Sequence, residues 1–161
     1  MKPIWYDRLP WVNINKVANG AGMDPLLIGA IVMTESGGNT WAVRYESKFK
    51  YIVTPDIFAK QVNCSLATET MFQASSFGLM QIMGGTARSN GYKDHLVKLC
   101  DPDVGLIWGC LFLNKLIKKY DLLTDAIAAY NAGSPRRDSE GNYVNMVYVS
   151  KVLQYLDELE G

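Results

Sequence analysis

Histidine is almost absent from this chain: His95 is the only one among 161 residues, and cysteine is scarce at three. A multi-histidine metal site is therefore excluded, and His95 is the one candidate for a Ser/His or Cys/His relay. Cys64, Cys100 and Cys110 are odd in number and lack a C-x-x-C pair. That excludes a disulfide scaffold and leaves three reduced thiols, or one bridge at most if the protein is exported. A zinc site from these cysteines and His95 would lack the usual short ligand pairs, so buried small apolar side chains are the better reading. Net charge is missing too. The 16 Lys+Arg balance 16 Asp+Glu, which excludes the cationic surplus that binding nucleic acid requires. The longest apolar run, LLIGAIVM at residues 26–33, is far short of the about 20 residues of a membrane span. The opening MKPIWYDRLP has neither the apolar core nor the cleavage site of a secretory signal. Carboxylates and hydroxyls remain as chemical tools, and no metal or cofactor is called for.

What is present reads as one folded domain over residues 1–161. Hydrophobic residues make up 48% and charged residues 20%, the balance of an ordinary globule long enough to bury a core. Asp24-Pro25 is a helix start, with Asp as N-cap and Pro at the first helical position. The following PLLIGAIVMTES is apolar on nearly every side, which marks a buried helix, and Gly37-Gly38 stops it. Asp101-Pro102 repeats the signal for a longer helix over 101–120, with Lys115, Lys118 and Lys119 complementing the macrodipole. A short helix over 124–131 and a last one carrying Tyr148, Val152, Tyr155 and Leu159 on one face complete the pattern. Residues 55–75 read as two short helices, and 39–56 as a loop with a short β-hairpin near 39–55. The fold class is mainly α.

Of six glutamates, only Glu35 ends a buried helix. It shares the apolar face of Ile28 and Ile31 and sits at the helix end where the macrodipole disfavours negative charge. Desolvation acts the same way, keeping the carboxyl protonated near neutrality, as a general acid must be. A solvated Glu at a frayed helix end is the plain alternative.

Three words stand in order around this residue: Glu35-Ser36, then Gly78-Leu79-Met80-Gln81, then Ala129-Tyr130-Asn131-Ala132-Gly133. Together they resemble the soluble lytic transglycosylases, lysozyme-like enzymes that cleave peptidoglycan. SSFGLMQIMGGTA (75–87), the helix over 101–120 and VYVSKVL (147–153) extend the resemblance to roughly residues 20–155. It implies a lysozyme-like domain with Glu35 as single catalytic acid. It also implies that Ser36, Met80 and Gln81 line the substrate site, with the Ser36 hydroxyl and Gln81 amide holding N-acetyl and peptide-stem polar atoms. Tyr130 would approach the catalytic carboxyl, Asn131 would bind substrate or brace its loop, and Tyr148 would be an aromatic at the cleft. Core packing is the alternative for Tyr130, Tyr148 and Met80, and a helix C-cap for Asn131.

Two departures stand out. The interval from Glu35 to Gly78 is longer than in compact members, and its WAVRYESKFKYIV reads either as a cleft wall or as a solvated loop. As a wall, it would set Arg44 on a peptide carboxylate and stack Trp41 or Tyr45 on sugar. Glu46 there could be the second carboxylate of a hydrolytic muramidase instead, and a non-catalytic wall-binding or virion protein of the same fold is the third reading. The proline common after the GLMQ word is replaced by the run into Gly84-Gly85. The polar stretch 134–142 reads as a mobile loop at the cleft edge. Small size and the missing signal suggest a phage or mobile-element enzyme. Such an enzyme would be virion-associated, or delivered to the periplasm or cell wall by a virion or secretion-apparatus partner.

Overall fold

The computed structural model describes residues 2–161. Helix α1 (Trp11–Gly20) leads into α2 (Pro25–Glu35), which starts as the sequence requires: the Asp24 side chain accepts from the Leu26 N–H at 2.9 Å, with Pro25 at the first turn. Such a cap stabilises a helix by about 1 kcal/mol. Helix α2 is buried over Leu27 to Met33, and each fully buried aliphatic side chain contributes roughly 1.5–3 kcal/mol. Its end is forced. Gly38 has φ +86°, and a Cβ there would meet the Arg8 carbonyl oxygen at 2.2 Å, so only glycine fits.

Strand β1 (Val43–Tyr45) is followed by α3 (Pro55–Gln61), α4 (Leu66–Gln73), β2 (Ser75–Phe77), β3 (Ile82–Met83) and α5 (Gly84–Ser89). The two short helices expected over 55–75 are thus present. The expected hairpin near 39–55 is not a local one. β1 pairs antiparallel with β2, Arg44 opposite Ser76, and the tight hairpin is β2–β3, turned by residues 78–81. The sequence alternation marks a strand but carries nothing about a partner thirty residues away. The remainder is α6 (Pro102–Lys119), α7 (Leu123–Ala132) and α8 (Met146–Glu160).

Two apolar clusters form. The larger joins α1, α2, α6, α7 and α8, including Ile28, Ile31, Leu106, Leu113, Ile127, Val149 and Val152. The smaller gathers Phe77, Ile82, Ala87, Tyr92, Leu96 and Leu99 beside the sheet. The 78–81 turn links them, because Leu79 and Met80 plug into the larger core while Phe77 and Ile82 belong to the smaller. Cys100 and Cys110 are buried and act as small apolar side chains. Among the described residues no helix is long and apolar enough to cross a membrane.

Candidate active site

A cleft of about 530 Å³ opens between the helices and the sheet. Glu35, Phe112, Tyr130 and Asn131 line the helical side; Arg44, Glu46, Lys48, Phe49, Tyr51 and Thr86 line the other. Glu35 arrives as the last residue of α2. Burial pushes its carboxyl from 4.5 up to about 7, against the opposing effects of a hydrogen bond from Tyr148 and the charges of Arg44 and Lys151. The solvated-end alternative is thereby removed. A carboxyl half protonated near neutrality, facing a cleft, can donate a proton and take one back.

The hydrogen bond on Glu35 comes from an unexpected tyrosine. The Tyr148 hydroxyl donates to Glu35 Oε1 at 2.6 Å, from the first turns of α8 packed along α2. Tyr148 is therefore behind the carboxyl and not an aromatic in the cleft lining. Tyr130 lines the cleft beside Glu35, but its hydroxyl donates to the Met80 carbonyl at 2.7 Å, and its ring lies 5.4 Å from that of Phe112. Burial and the nearby Glu35 charge hold both phenols protonated.

Three other expected contacts are engaged within the protein. Met80 is fully buried over Gly109, where a Cβ would come 2.5 Å from its sulfur, so its side chain presents nothing to a ligand. The Ser36 hydroxyl donates to the Leu79 carbonyl at 2.8 Å, tying the end of α2 to the turn. Gln81, at φ +48°, lines the cleft, yet its amide NH₂ donates to the Ala42 and Gly78 carbonyls, both at 2.9 Å. Its carbonyl accepts from the Ser76 hydroxyl at 2.8 Å. Each of these polar groups satisfies the backbone of a tight junction, which short motif words cannot distinguish from ligand binding. Asn131 is exposed at the cleft; its carbonyl accepts from Asn145 Nδ2 at 3.0 Å, and its own NH₂ has no hydrogen-bond partner among the described residues.

The excursion after Glu35 is a cleft wall. Strand alternation puts Arg44, Ser76 and Met83 on one row facing the cleft, whereas Tyr45 points away and Trp41 stands exposed outside it. The aromatics actually present are Phe49 and Tyr51, which motif reading did not single out. Their only signal was membership of the long excursion. Glu46 shares the wall, ion-paired to Arg44 at 2.7 Å. At the other rim, residues 134–142 are pinned to α7: Arg137 donates to Asp125 at 3.1 Å and lies 4.1 Å above the Tyr143 ring.

Comparison with known families matches residues 12–147 to a model described as the transglycosylase SLT domain. The matched span runs from α1 into the start of α8 and holds every cleft-lining residue named above.

Proposed function

Because the chain belongs to the transglycosylase SLT-domain family, whose general activity is on peptidoglycan, we propose that it is a lytic transglycosylase in which Glu35 is the single general acid and base. The observation that carries this reading is one largely desolvated carboxyl, lifted to about 7, that lines the cleft and accepts from the Tyr148 hydroxyl. Glu35 protonates the glycosidic oxygen between N-acetylmuramic acid and N-acetylglucosamine. The N-acetyl oxygen of the muramic acid stabilises the developing cation, and the now-ionised Glu35 takes the proton of the same sugar's C6 hydroxyl. The C6 oxygen closes on C1, giving a 1,6-anhydro end without water. Tyr148 is a positioning residue that orients the carboxyl, and Asn131 offers its open NH₂ to substrate. Ser36, Gln81 and the Tyr130 hydroxyl hold the walls in register.

Glu46 in the same cleft is the observation that favours a hydrolytic route with two carboxylates. Its pairing with Arg44 fits a structural carboxylate better than a base or nucleophile. Mass spectrometry of digested peptidoglycan separates the routes, since an anhydro end is one water lighter than a reducing end. Anhydro ends are expected; reducing ends alone would sink the transglycosylase reading.

Tyr148→Phe removes a bond that holds the Glu35 pKa down. The basic limb of the pH profile of kcat/KM, where the acid loses its proton, is expected to move to higher pH. The maximal rate should fall about tenfold through lost orientation of the carboxyl. A profile of unchanged shape and height would remove Tyr148 from this role.

A further inference from the structure

Buried polar side chains in this protein find their partners. In the Arg88–Glu69 ion pair, Arg88 Nε and Nη2 donate to the two carboxylate oxygens at 2.8 and 2.9 Å, and Gln73 adds a third bond at 2.9 Å. Among the described residues, one buried side-chain oxygen has no partner at all: Asn145 Oδ1. A buried acceptor without a donor is destabilising, and a native structure that keeps one calls for a reason. The same side chain departs from a second rule. Asn145 stands at the N-cap of α8, where an asparagine oxygen ordinarily accepts an N–H of the first turn, yet it makes no such bond. Its backbone carbonyl accepts from the Tyr148 and Val149 N–H groups at 3.0 and 3.2 Å, so α8 starts without help from the side chain. Departures from local rules that bring no local gain gather where function is served.

What Asn145 does instead is fix the direction of another amide. Its Nδ2 donates to the Ala128 carbonyl and to Asn131 Oδ1, both on α7 and both at 3.0 Å. A backbone carbonyl can only accept, so Ala128 admits only the nitrogen end of Asn145. With one hydrogen on Ala128 and the other on Asn131, the Asn131 side chain must turn its oxygen toward Asn145. Its NH₂ is then left for the cleft, which Asn131 lines together with Glu35. An unrestrained asparagine can turn either end to a ligand, whereas this one can only donate. Asn145 does not itself line the cleft.

We propose that Asn145 is a positioning residue that sets the polarity of the Asn131 amide, so that this rim of the cleft engages substrate only through a hydrogen-bond acceptor, an oxygen of the bound sugar. The proposal rests on the reading of the cleft as a glycan-binding site. The polarity passes from the Ala128 carbonyl through Asn145 to Asn131, and the orphaned Asn145 oxygen is its structural consequence.

The test uses the Glu35→Gln protein, so that ligand is bound and not consumed, with a tetrasaccharide of alternating N-acetylglucosamine and N-acetylmuramic acid as probe. Asn145→Asp replaces the donor end by a second acceptor of nearly the same size, and aspartate is itself a good N-cap for α8. Whether that carboxylate takes the Asn131 NH₂ or turns to cap α8, the fixed direction is lost, and binding should weaken about tenfold. Asn131→Ala should lose about as much, and adding Asn145→Asp to it should change nothing further, because no amide is left to orient. Unchanged affinity in Asn145→Asp overturns the proposal. So does a loss that persists undiminished on top of Asn131→Ala, which would make Asn145 a structural brace. Side-chain amide NMR reaches the same decision without variants at either position. In the free protein the Asn145 NH₂ protons should exchange slowly with water, and those of Asn131 rapidly until ligand binds. Rapid exchange at Asn145, or an Asn131 amide unmoved by saturating ligand, is the contrary result. Failure of the parent protein to bind the tetrasaccharide would refute the reading of the cleft instead, and the exchange rates in the free protein test the Asn145 lock on their own.

Discussion

Glu35→Gln is expected to lower cell-wall clearing by about 10²–10⁴-fold, the usual contribution of a general acid–base group, while making the protein more stable at neutral pH. The two effects share one cause. Burial raises the folded-state pKa of Glu35 from 4.5 to about 7. Between those values the folded protein holds a proton that the unfolded chain has released. Stability therefore falls as pH rises through this window, and the full cost is present above it. That cost is on the order of 3 kcal/mol as an upper bound. Glutamine is neutral at every pH, fills the same space and can still accept the Tyr148 hydroxyl. Denaturant titrations of the two proteins should coincide near pH 4 and separate progressively to pH 8, the variant being the more stable. Equal turbidity loss by wild type and variant would take Glu35 out of the mechanism. A variant less stable at pH 8 would show that the carboxyl is not buried at a cost. Sites that are strained for function commonly show this opposition between activity and stability.

The second large effect lies away from the chemistry. Arg88→Met leaves Glu69 buried with no cation, and removing one partner of such a pair costs about 3–5 kcal/mol. For a chain of this size that is about 10 °C in Tm. Arg88 also donates to the Tyr92 and Asp94 carbonyls and packs 4.3 Å over the Phe58 ring, so its loss reaches several segments at once. The double change Glu69→Met, Arg88→Met should recover much of the loss, because no charge is then stranded. Calorimetric scans of the single and double variants decide it. A double variant as unstable as the sum of the singles would mean that geometry, not stranded charge, carries the cost.

Local signals proved reliable wherever the physics is local. Asp24-Pro25 and Asp101-Pro102 start α2 and α6 because a carboxylate two or three residues away can satisfy an orphan N–H without help from the rest of the chain. The unbroken apolar face of α2 is buried from Leu27 to Met33, and it carries the half-buried Glu35 to the edge of the core. The upward direction of the Glu35 pKa was thus already suggested by one helix. The single face of Tyr148, Val152, Tyr155 and Leu159 likewise packs inward.

Nonlocal pairings were out of reach. The partner of β1 is β2, across two intervening helices, and nothing in either trio of residues names the other. The same limit explains the division of roles between the two tyrosines. Tyr130 and Tyr148 are equally good phenols in sequence, and only the packing of α8 against α2 brings the second to Glu35 while the first turns to the Met80 carbonyl. Ser36, Met80 and Gln81 had the residue types of ligand contacts, but the backbone groups of the 78–81 turn claimed Ser36 and Gln81, and the helical core claimed Met80.

The near absence of histidine, the balanced charge and the one glutamate on an apolar helix were legible in the sequence alone, because those are properties of single residues and single elements. Which phenol touches that carboxyl, and that a charged wall faces it across the cleft, were decided only by the tertiary structure. Both depend on which elements meet, a matter of packing between segments distant along the chain.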